Sequence, residues 1–170
     1  DAGHGGKDVG ALGETGREKD VNLSVALKLG ELRKEHFEDV PVVYTRDEDK
    51  YLTLQERTQI ANKAKGNLFI SIHCNSIDKR NKNRKTIKGA STYVLGLHKS
   101  DDNLEVAMRE NSVIAWEDDY RATYQGFDPN SSESYIIFEI SQSVHLDQSV
   151  DFASYVQNEL HNTANRVDRG

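Results

Sequence analysis

Three side chains are best placed to do chemistry: His4 in Asp1-Ala2-Gly3-His4-Gly5-Gly6-Lys7-Asp8, Glu18 in Arg17-Glu18-Lys19-Asp20, and His73 in Phe69-Ile70-Ser71-Ile72-His73-Cys74-Asn75-Ser76. Two imidazoles and one carboxylate form a zinc-type donor set, and three protein ligands leave a fourth position for water, as a metallohydrolase requires. The intervals, 14 residues from His4 to Glu18 and 55 from Glu18 to His73, match no short metal motif. An isolated histidine is ordinarily a packed or surface residue, so the assignment rests on the context of all three.

That context is set by the elements around them. Val21, Val25, Leu29 and Leu32 fall on one helical stripe, which predicts a core-facing helix just after Glu18 with Asp20 as its N-cap. Val40 to Thr45 is rich in β-formers, with Pro41 near its start, and reads as a strand. Thr53-Leu54-Gln55-Glu56 is a capping box, predicting a helix through Leu54, Ile60, Ala61 and Ala64. Leu68 to His73 is nearly continuous in apolar residues, as in a strand covered on both faces, and Ala90 to Leu95 is a further strand candidate. This alternation predicts an α/β fold with a mainly parallel twisted sheet flanked by helices. In such sheets functional groups collect at the carboxyl ends of the strands, where His73 would sit. The glycines at 3, 5 and 6 would let backbone approach a ligand closely.

The later part of the chain reads differently. Leu104 to Trp116 is predicted partly helical, and Gly126 to Ser132 is a loop of turn formers. From Leu146, the positions Val150, Ala153, Val156, Leu160, Ala164 and Val167 recur at steps of three and four, predicting a long amphipathic helix.

Composition narrows the function classes. At 170 residues with 36% apolar and 29% charged content, the chain suits a single domain, residues 1–170, with a sizeable core. No run of 18 apolar residues is present, which argues against a membrane-spanning helix within these limits. A net charge of −6 argues against a general nucleic-acid binder. With Cys74 as the only cysteine, there is no intrachain disulfide and no cysteine-based zinc finger. The chain starts at Asp1 without a signal-peptide pattern, as expected of cropped or processed limits.

Other chemistries fit less well. Gly3-His4-Gly5-Gly6-Lys7-Asp8 lacks both the phosphate-loop and the dinucleotide-binding glycine spacing, and Asp8 would repel phosphate. His73 and Cys74 are neighbours on an expected strand and point to opposite faces, so they do not form a nucleophile–base pair; Cys74 reads as a buried thiol. The basic stretch Lys79, Arg80, Lys82, Arg84, Lys85 and Lys88 reads first as a solvated loop, with attraction of an acidic polymer as its functional alternative. Glu117-Asp118-Asp119 lacks the alternating ligand pattern of a calcium loop.

Taken in order, several segments resemble the type-3 zinc-dependent N-acetylmuramoyl-L-alanine amidases, which act on peptidoglycan. They are Asp1 to Asp8 with Gly10-Ala11, Glu18 to Leu23, Tyr44-Thr45-Arg46-Asp47 with Leu54-Gln55-Glu56-Arg57, Ser71 to Ser76, and Gly89 to Tyr93. The resemblance implies zinc held by His4, Glu18 and His73, and hydrolysis of the amide joining N-acetylmuramic acid to L-alanine. It also implies a periplasmic or secreted location. The family's second glutamate, its general base, lies in a late strand, so no catalytic base is expected within these residues; it and the last strands of the fold are expected beyond Gly170. Tyr135 to Ile140 imitates that strand superficially, and Glu139 is read as helical and non-catalytic.

The stretch 108–146 resembles the partly helical regulatory insertion of Gram-negative cell-division amidases, in which a helix covers the zinc until an activator protein displaces it. Glu110 is the candidate blocking residue, with Glu117 and Glu133 as alternatives in the same region. Two competing readings are a peptidoglycan-binding pseudoenzyme and a zinc metallopeptidase acting on another peptide.

Overall fold

The computed structural model describes residues 1–78, 80–94, 101–117, 119–124, 127–131 and 145–169. They fall into two compact units, Asp1–Ser76 and Ile77–Gly170.

In the first unit, helix α1 spans Glu18–His36 and α2 spans Leu54–Lys63. The capping box at α2 forms as expected: Thr53 accepts from the Glu56 amide at 3.1 Å, and Glu56 accepts from the Thr53 amide at 2.8 Å. Ala64 is the C-cap, one residue past the helix. At α1 the expected cap is displaced. Arg17 is the N-cap, and Asp20 lies inside the first turn, where its carboxylate accepts from Arg17 Nε at 2.8 Å. The helix starts earlier because the Glu18 amide donates to the Ala11 carbonyl at 2.9 Å, so the preceding loop takes up a donor that a cap would otherwise satisfy.

The face that α1 buries is also not the apolar one. Val21, Val25, Leu29 and Leu32 remain 43–47% exposed, whereas Glu18, Lys19, Asn22, Ala26 and Gly30 are buried. The reason is close approach. Gly30 lies against the Tyr44 ring and hydroxyl so tightly that any Cβ would collide with them. Asn22, Ala26 and Gly30, four residues apart, make a low ridge over which residues 1–4 and 44–49 can lie.

The strands expected at 40–45 and 68–73 form no ladder among the described residues. Val40 to Thr45 takes no part in strand pairing, and the 68–73 segment contributes one parallel bridge, Ile72 with Ala2. The Gly3 amide donates to Ile72 O at 3.1 Å, and the Ile72 amide donates to Asp1 O at 3.0 Å. Leu68, Phe69 and Ile70 are 56%, 51% and 38% exposed, so the expected burial on both faces is not seen.

In the second unit, α3 spans Asp101–Asn111 and runs into a 3₁₀ turn at Ser112–Trp116, followed by α4 at Tyr120–Thr123 and α5 at Leu146–Asn162. Partial helicity between 104 and 116 thus holds. Helix α5 stops before the expected Ala164 and Val167: the Ala164 amide turns back to Glu159 O, the Arg166 amide to Leu160 O, and Asn165 takes a left-handed φ of 51°. The 90–95 segment contributes one parallel bridge, Ala90 with Asp168. Phe127 to Ser131 forms the expected turn, closed by the Ser131 amide on Asp128 O. Glu133, Glu139 and the 135–140 segment lie outside the described residues. Helices joined by parallel bridges are consistent with an α/β architecture. No helix among the described residues is long and apolar enough to cross a membrane.

The inverted burial of α1 gives a direct test. Gly30→Ala should destabilise the protein by about 1–3 kcal/mol in urea titration, the usual range for overpacking, even though alanine is the better helix former. Leu29→Ala on the half-exposed stripe should cost less than the ~2–5 kcal/mol of a buried leucine. The reverse order would restore the apolar stripe as the packed face.

Candidate metal centre

His4, Glu18 and His73 come together in the first unit, each offering a ligand atom, and these atoms lie within 4.8 Å of one another. The arrangement is centred on the carboxylate: Glu18 Oε1 stands 3.2 Å from His4 Nε2 and 3.2 Å from His73 Nδ1. The two imidazoles meet edge to face, with ring centroids 4.9 Å apart.

His4 and Glu18 are each held from behind. Asp8 Oδ2 lies 2.8 Å from His4 Nδ1, so the ring carries its proton there and turns Nε2 toward Glu18. Burial opposes the charge on Asp8, but the hydrogen bond and charge of His4 and the Gly10 amide outweigh it and hold the carboxyl below its ordinary range. Glu18 follows the same logic more strongly. Its burial disfavours ionisation, yet the adjoining His4 and His73 rings and hydrogen bonds from the amides of Ala11 (2.8 Å) and Cys74 (2.7 Å) keep it well below the usual carboxylate range. Asn22, fully buried, donates from Nδ2 to Glu18 Oε1 and to Gly3 O, both at 3.3 Å. The Cys74 thiol donates to Asn22 Oδ1 at 3.4 Å, while the ring of His73 goes to Glu18.

His4 itself adopts φ 61°, a left-handed conformation that non-glycine residues occupy at a cost of about 1–3 kcal/mol and that tends to mark functional sites. What holds it there is the surrounding polar frame. Arg57 donates to His4 O at 2.8 Å, to Ala2 O at 2.9 Å, to Leu52 O at 3.2 Å and to Asp1 Oδ1 at 2.7 Å. Arg46, 1% exposed, donates to Ala2 O, Gly3 O and Lys19 O, each at 2.9 Å, and to Glu48 O at 3.1 Å. Desolvation lowers both guanidinium pKa values, and at Arg46 the neighbouring charge of Arg57 lowers it further. Lys19 Nζ closes the loop, donating to Gly6 O at 2.9 Å and Asp49 Oδ2 at 2.6 Å, while Asp49 Oδ1 accepts from the Gly6 amide at 2.8 Å.

Two glycines are required by proximity. At Gly10, with φ +64°, a Cβ would stand 2.6 Å from His4 Cδ2 and 2.7 Å from Glu18 Oε2, and at Gly3 it would run into the His73 ring. Both make room for the cluster rather than for a turn.

Sequence reasoning identified the three converging residues but gave no role to Asn22, Arg46 or Arg57, and weighed Asp8 only as an obstacle to phosphate. The available signal was chemical: Asp8 stands four residues after His4 in a glycine-rich loop, where a carboxylate can reach the ring. Glu110 lies in the second unit, near the end of α3, half-buried and paired with Arg109 Nη2 at 2.5 Å. Glu117 accepts from the Tyr124 hydroxyl at 2.9 Å.

Two imidazoles and a carboxylate with one imidazole backed by a second carboxylate are a donor set that fits zinc. A model of the family described as N-acetylmuramoyl-L-alanine amidase matches residues 1–170, and the chain belongs to that family. A putative N-acetylmuramoyl-L-alanine amidase of Buchnera aphidicola is 36% identical over 115 residues, covering 67% of this chain and 46% of the relative. N-acetylmuramoyl-L-alanine amidase AmiC of Escherichia coli is 30% identical over 166 residues, covering 94% of this chain and 36% of AmiC. The catalytic domain of CwlV from Bacillus (Paenibacillus) polymyxa is 32% identical, with a TM-score of 0.49 over 67% of this chain and 62% of that one. The chain thus spans less than half the length of these two curated relatives.

Arg46→Lys and Arg57→Lys should each lower stability by about 1.5–3 kcal/mol, because an ammonium cannot reproduce the planar fork that serves these carbonyls. The urea midpoint reports this. Unchanged midpoints would mean that the carbonyls of residues 2–4 are satisfied without the guanidiniums.

Proposed function

We propose that the protein is a zinc-dependent N-acetylmuramoyl-L-alanine amidase that cleaves the amide between N-acetylmuramic acid and L-alanine in peptidoglycan, with His4, Glu18 and His73 as metal ligands. The observation that carries this reading is the convergence of those three side chains, with Asp8 fixing the tautomer of His4, in a chain of the amidase family.

When bound, zinc supplies Lewis-acid polarisation of the scissile carbonyl and brings the pKa of water to about 7. The chain's own residues prepare the site for that chemistry. Asp8 keeps His4 Nδ1 protonated, so Nε2 presents a lone pair. Glu18 is held anionic by its amide donors from Ala11 and Cys74 and so offers a charged oxygen at neutral pH. The guanidiniums of Arg46 and Arg57 hold the backbone carbonyls of residues 2–4, which keeps the His4 ring aimed at Glu18. Because the donors are positioned by folding, little reorganisation is needed when the metal enters.

The same reading includes a mainly parallel sheet completing the fold, a periplasmic or secreted location, and a role in cell-wall remodelling and daughter-cell separation. Residues 108–146 would act as a regulatory insertion relieved by an activator protein, with Glu110 as the metal-blocking candidate. Its support is the resemblance of that stretch to the insertion of cell-division amidases.

Incubating the complete protein with purified muropeptides should release stem peptide, chelator should abolish release, and added zinc should restore it. Chelator-insensitive binding without cleavage would instead favour a pseudoenzyme, and cleavage of a plain peptide lacking muramic acid would favour a metallopeptidase. His4→Ala, Glu18→Ala and His73→Ala should each abolish stoichiometric zinc, and Asp8→Asn should weaken zinc affinity by roughly 10–100-fold in chelator competition. Full zinc retention in any of the three alanine variants would remove that residue from the ligand set. Deleting residues 108–146 from the complete protein should raise basal activity; an unchanged or lower rate in a folded deletion would refute the inhibitory role.

A further inference from the structure

One strongly charged segment takes no part in the candidate metal centre. Between Asp78 and Lys88 the sequence carries six basic residues, Lys79, Arg80, Lys82, Arg84, Lys85 and Lys88, against the single acid Asp78, a net of +5. The whole chain is −6, so the remaining residues together carry −11. Positive charge is thus concentrated in eleven residues of an otherwise acidic protein, and that segment begins five residues after His73. Lys79 lies outside the described residues; Arg80, Lys82, Arg84, Lys85 and Lys88 are all exposed.

The segment is folded into successive turns. The Arg80 amide donates to Asp78 Oδ1 at 2.8 Å and the Asn83 amide to Asn81 Oδ1 at 2.9 Å, two side-chain-closed turns in tandem. Backbone bonds from the Asn81, Arg84 and Thr86 amides to Asp78 O, Asn81 O and Asn83 O continue the series, and Thr86 Oγ1 donates to Asn83 O at 2.9 Å. Asp78 is engaged by Arg80 through Nη2 at 2.6 Å, so the one acid is neutralised within the loop. Basic charges crowded into eleven residues of successive turns reinforce one another wherever they fall within the screening length, about 8–10 Å at 0.1–0.15 M salt. The turns also lower the ordering entropy that a polyanion's binding would otherwise cost.

We propose that this loop is a docking surface for the anionic stem peptides of peptidoglycan, engaging their free carboxylates and raising the local concentration of the polymer. The proposal rests on the amidase reading for the identity of the polymer. Peptidoglycan presents carboxylates repeatedly along an insoluble network, and a cluster of lysines and arginines on a fixed loop can engage several at once. The acidic remainder of the chain offers no comparable electrostatic attraction for the polymer, so charge-driven contact away from the metal centre is concentrated at this loop.

The test is co-sedimentation of the complete protein with purified sacculi, either native or with their carboxylates converted to amides, across a salt series. The Lys82→Gln/Arg84→Gln/Lys85→Gln/Lys88→Gln variant should keep the thermal midpoint of the parent and lose about tenfold in affinity for native sacculi, the sum of four exposed charge contacts. Amidated sacculi should weaken the parent to the same level and leave the variant unchanged, and the variant's salt dependence should be shallower. Should combining the four changes lower the midpoint, single glutamines at Lys82 and Lys88 should each show a partial loss on native sacculi alone. Equal binding of parent and variant, or equal binding of native and amidated sacculi by the parent, would overturn the proposal. Loop-dependent binding without stem-peptide release would overturn the amidase reading alone, and release with loop-independent binding would overturn the docking surface alone.

Discussion

Burial of two guanidinium groups against the carbonyls of residues 2–4 is the interaction on which the first unit depends. Arg46 and Arg57 both donate to Ala2 O, then diverge to Gly3 O and His4 O, so consecutive carbonyls of one short segment are fixed by charged donors. A carbonyl buried without a partner costs about 1–3 kcal/mol, and a buried cation without an anion or several acceptors costs more. Each group therefore answers the other's need. Asp1 supplies the counter-charge, accepting from Arg57, from Thr45 Oγ1 at 2.6 Å and from Ser71 Oγ at 2.7 Å, which ties three other stretches of chain to its carboxylate.

From this frame the metal-site geometry follows. His4 is held at a left-handed φ because its carbonyl is committed to Arg57 and its Nδ1 to Asp8. Glu18 starts α1 with its carboxylate satisfied by two backbone amides on one side and facing both imidazoles on the other. The buried side chains of this unit are accordingly mostly polar: Asp8, Glu18, Lys19, Asn22, Thr45, Arg46 and Arg57, with Ala2 and Ala26 as its buried apolar residues among those described. Networks of this kind are rigid when fully satisfied, and rigidity is what a metal centre requires of its ligands.

That polarity explains what could and could not be read from the sequence. The α2 capping box and the helical character of 104–116 and 146–162 were legible because each depends on local chemistry, and the convergence of His4, Glu18 and His73 was legible from the motif context around them. The orientation of α1 was not. Hydrophobic periodicity points Val21, Val25 and Leu29 inward, but the side that packs is the one whose residues are small enough, Ala26 and Gly30, or polar enough, Asn22 and Glu18, to meet a hydrogen-bonded loop frame. Arg46 and Arg57 escaped notice for the same reason: a buried arginine looks like a surface residue until the carbonyls it serves are known. Strand-like segments at 40–45 and 68–73 were recognisable by composition, yet pairing depends on partners distant in sequence, and of these two segments the described residues show a bridge for Ile72 alone, with Ala2.

Family membership and geometry support one proposal, that the site built by this polar frame binds zinc through His4, Glu18 and His73. Diffraction from zinc-loaded crystals, collected on either side of the zinc absorption edge, tests it most directly. The account predicts one strong anomalous peak per molecule bonded to both imidazoles and to the Glu18 carboxylate. A peak bonded to other residues, or none at this cluster in stoichiometrically loaded protein, would contradict it.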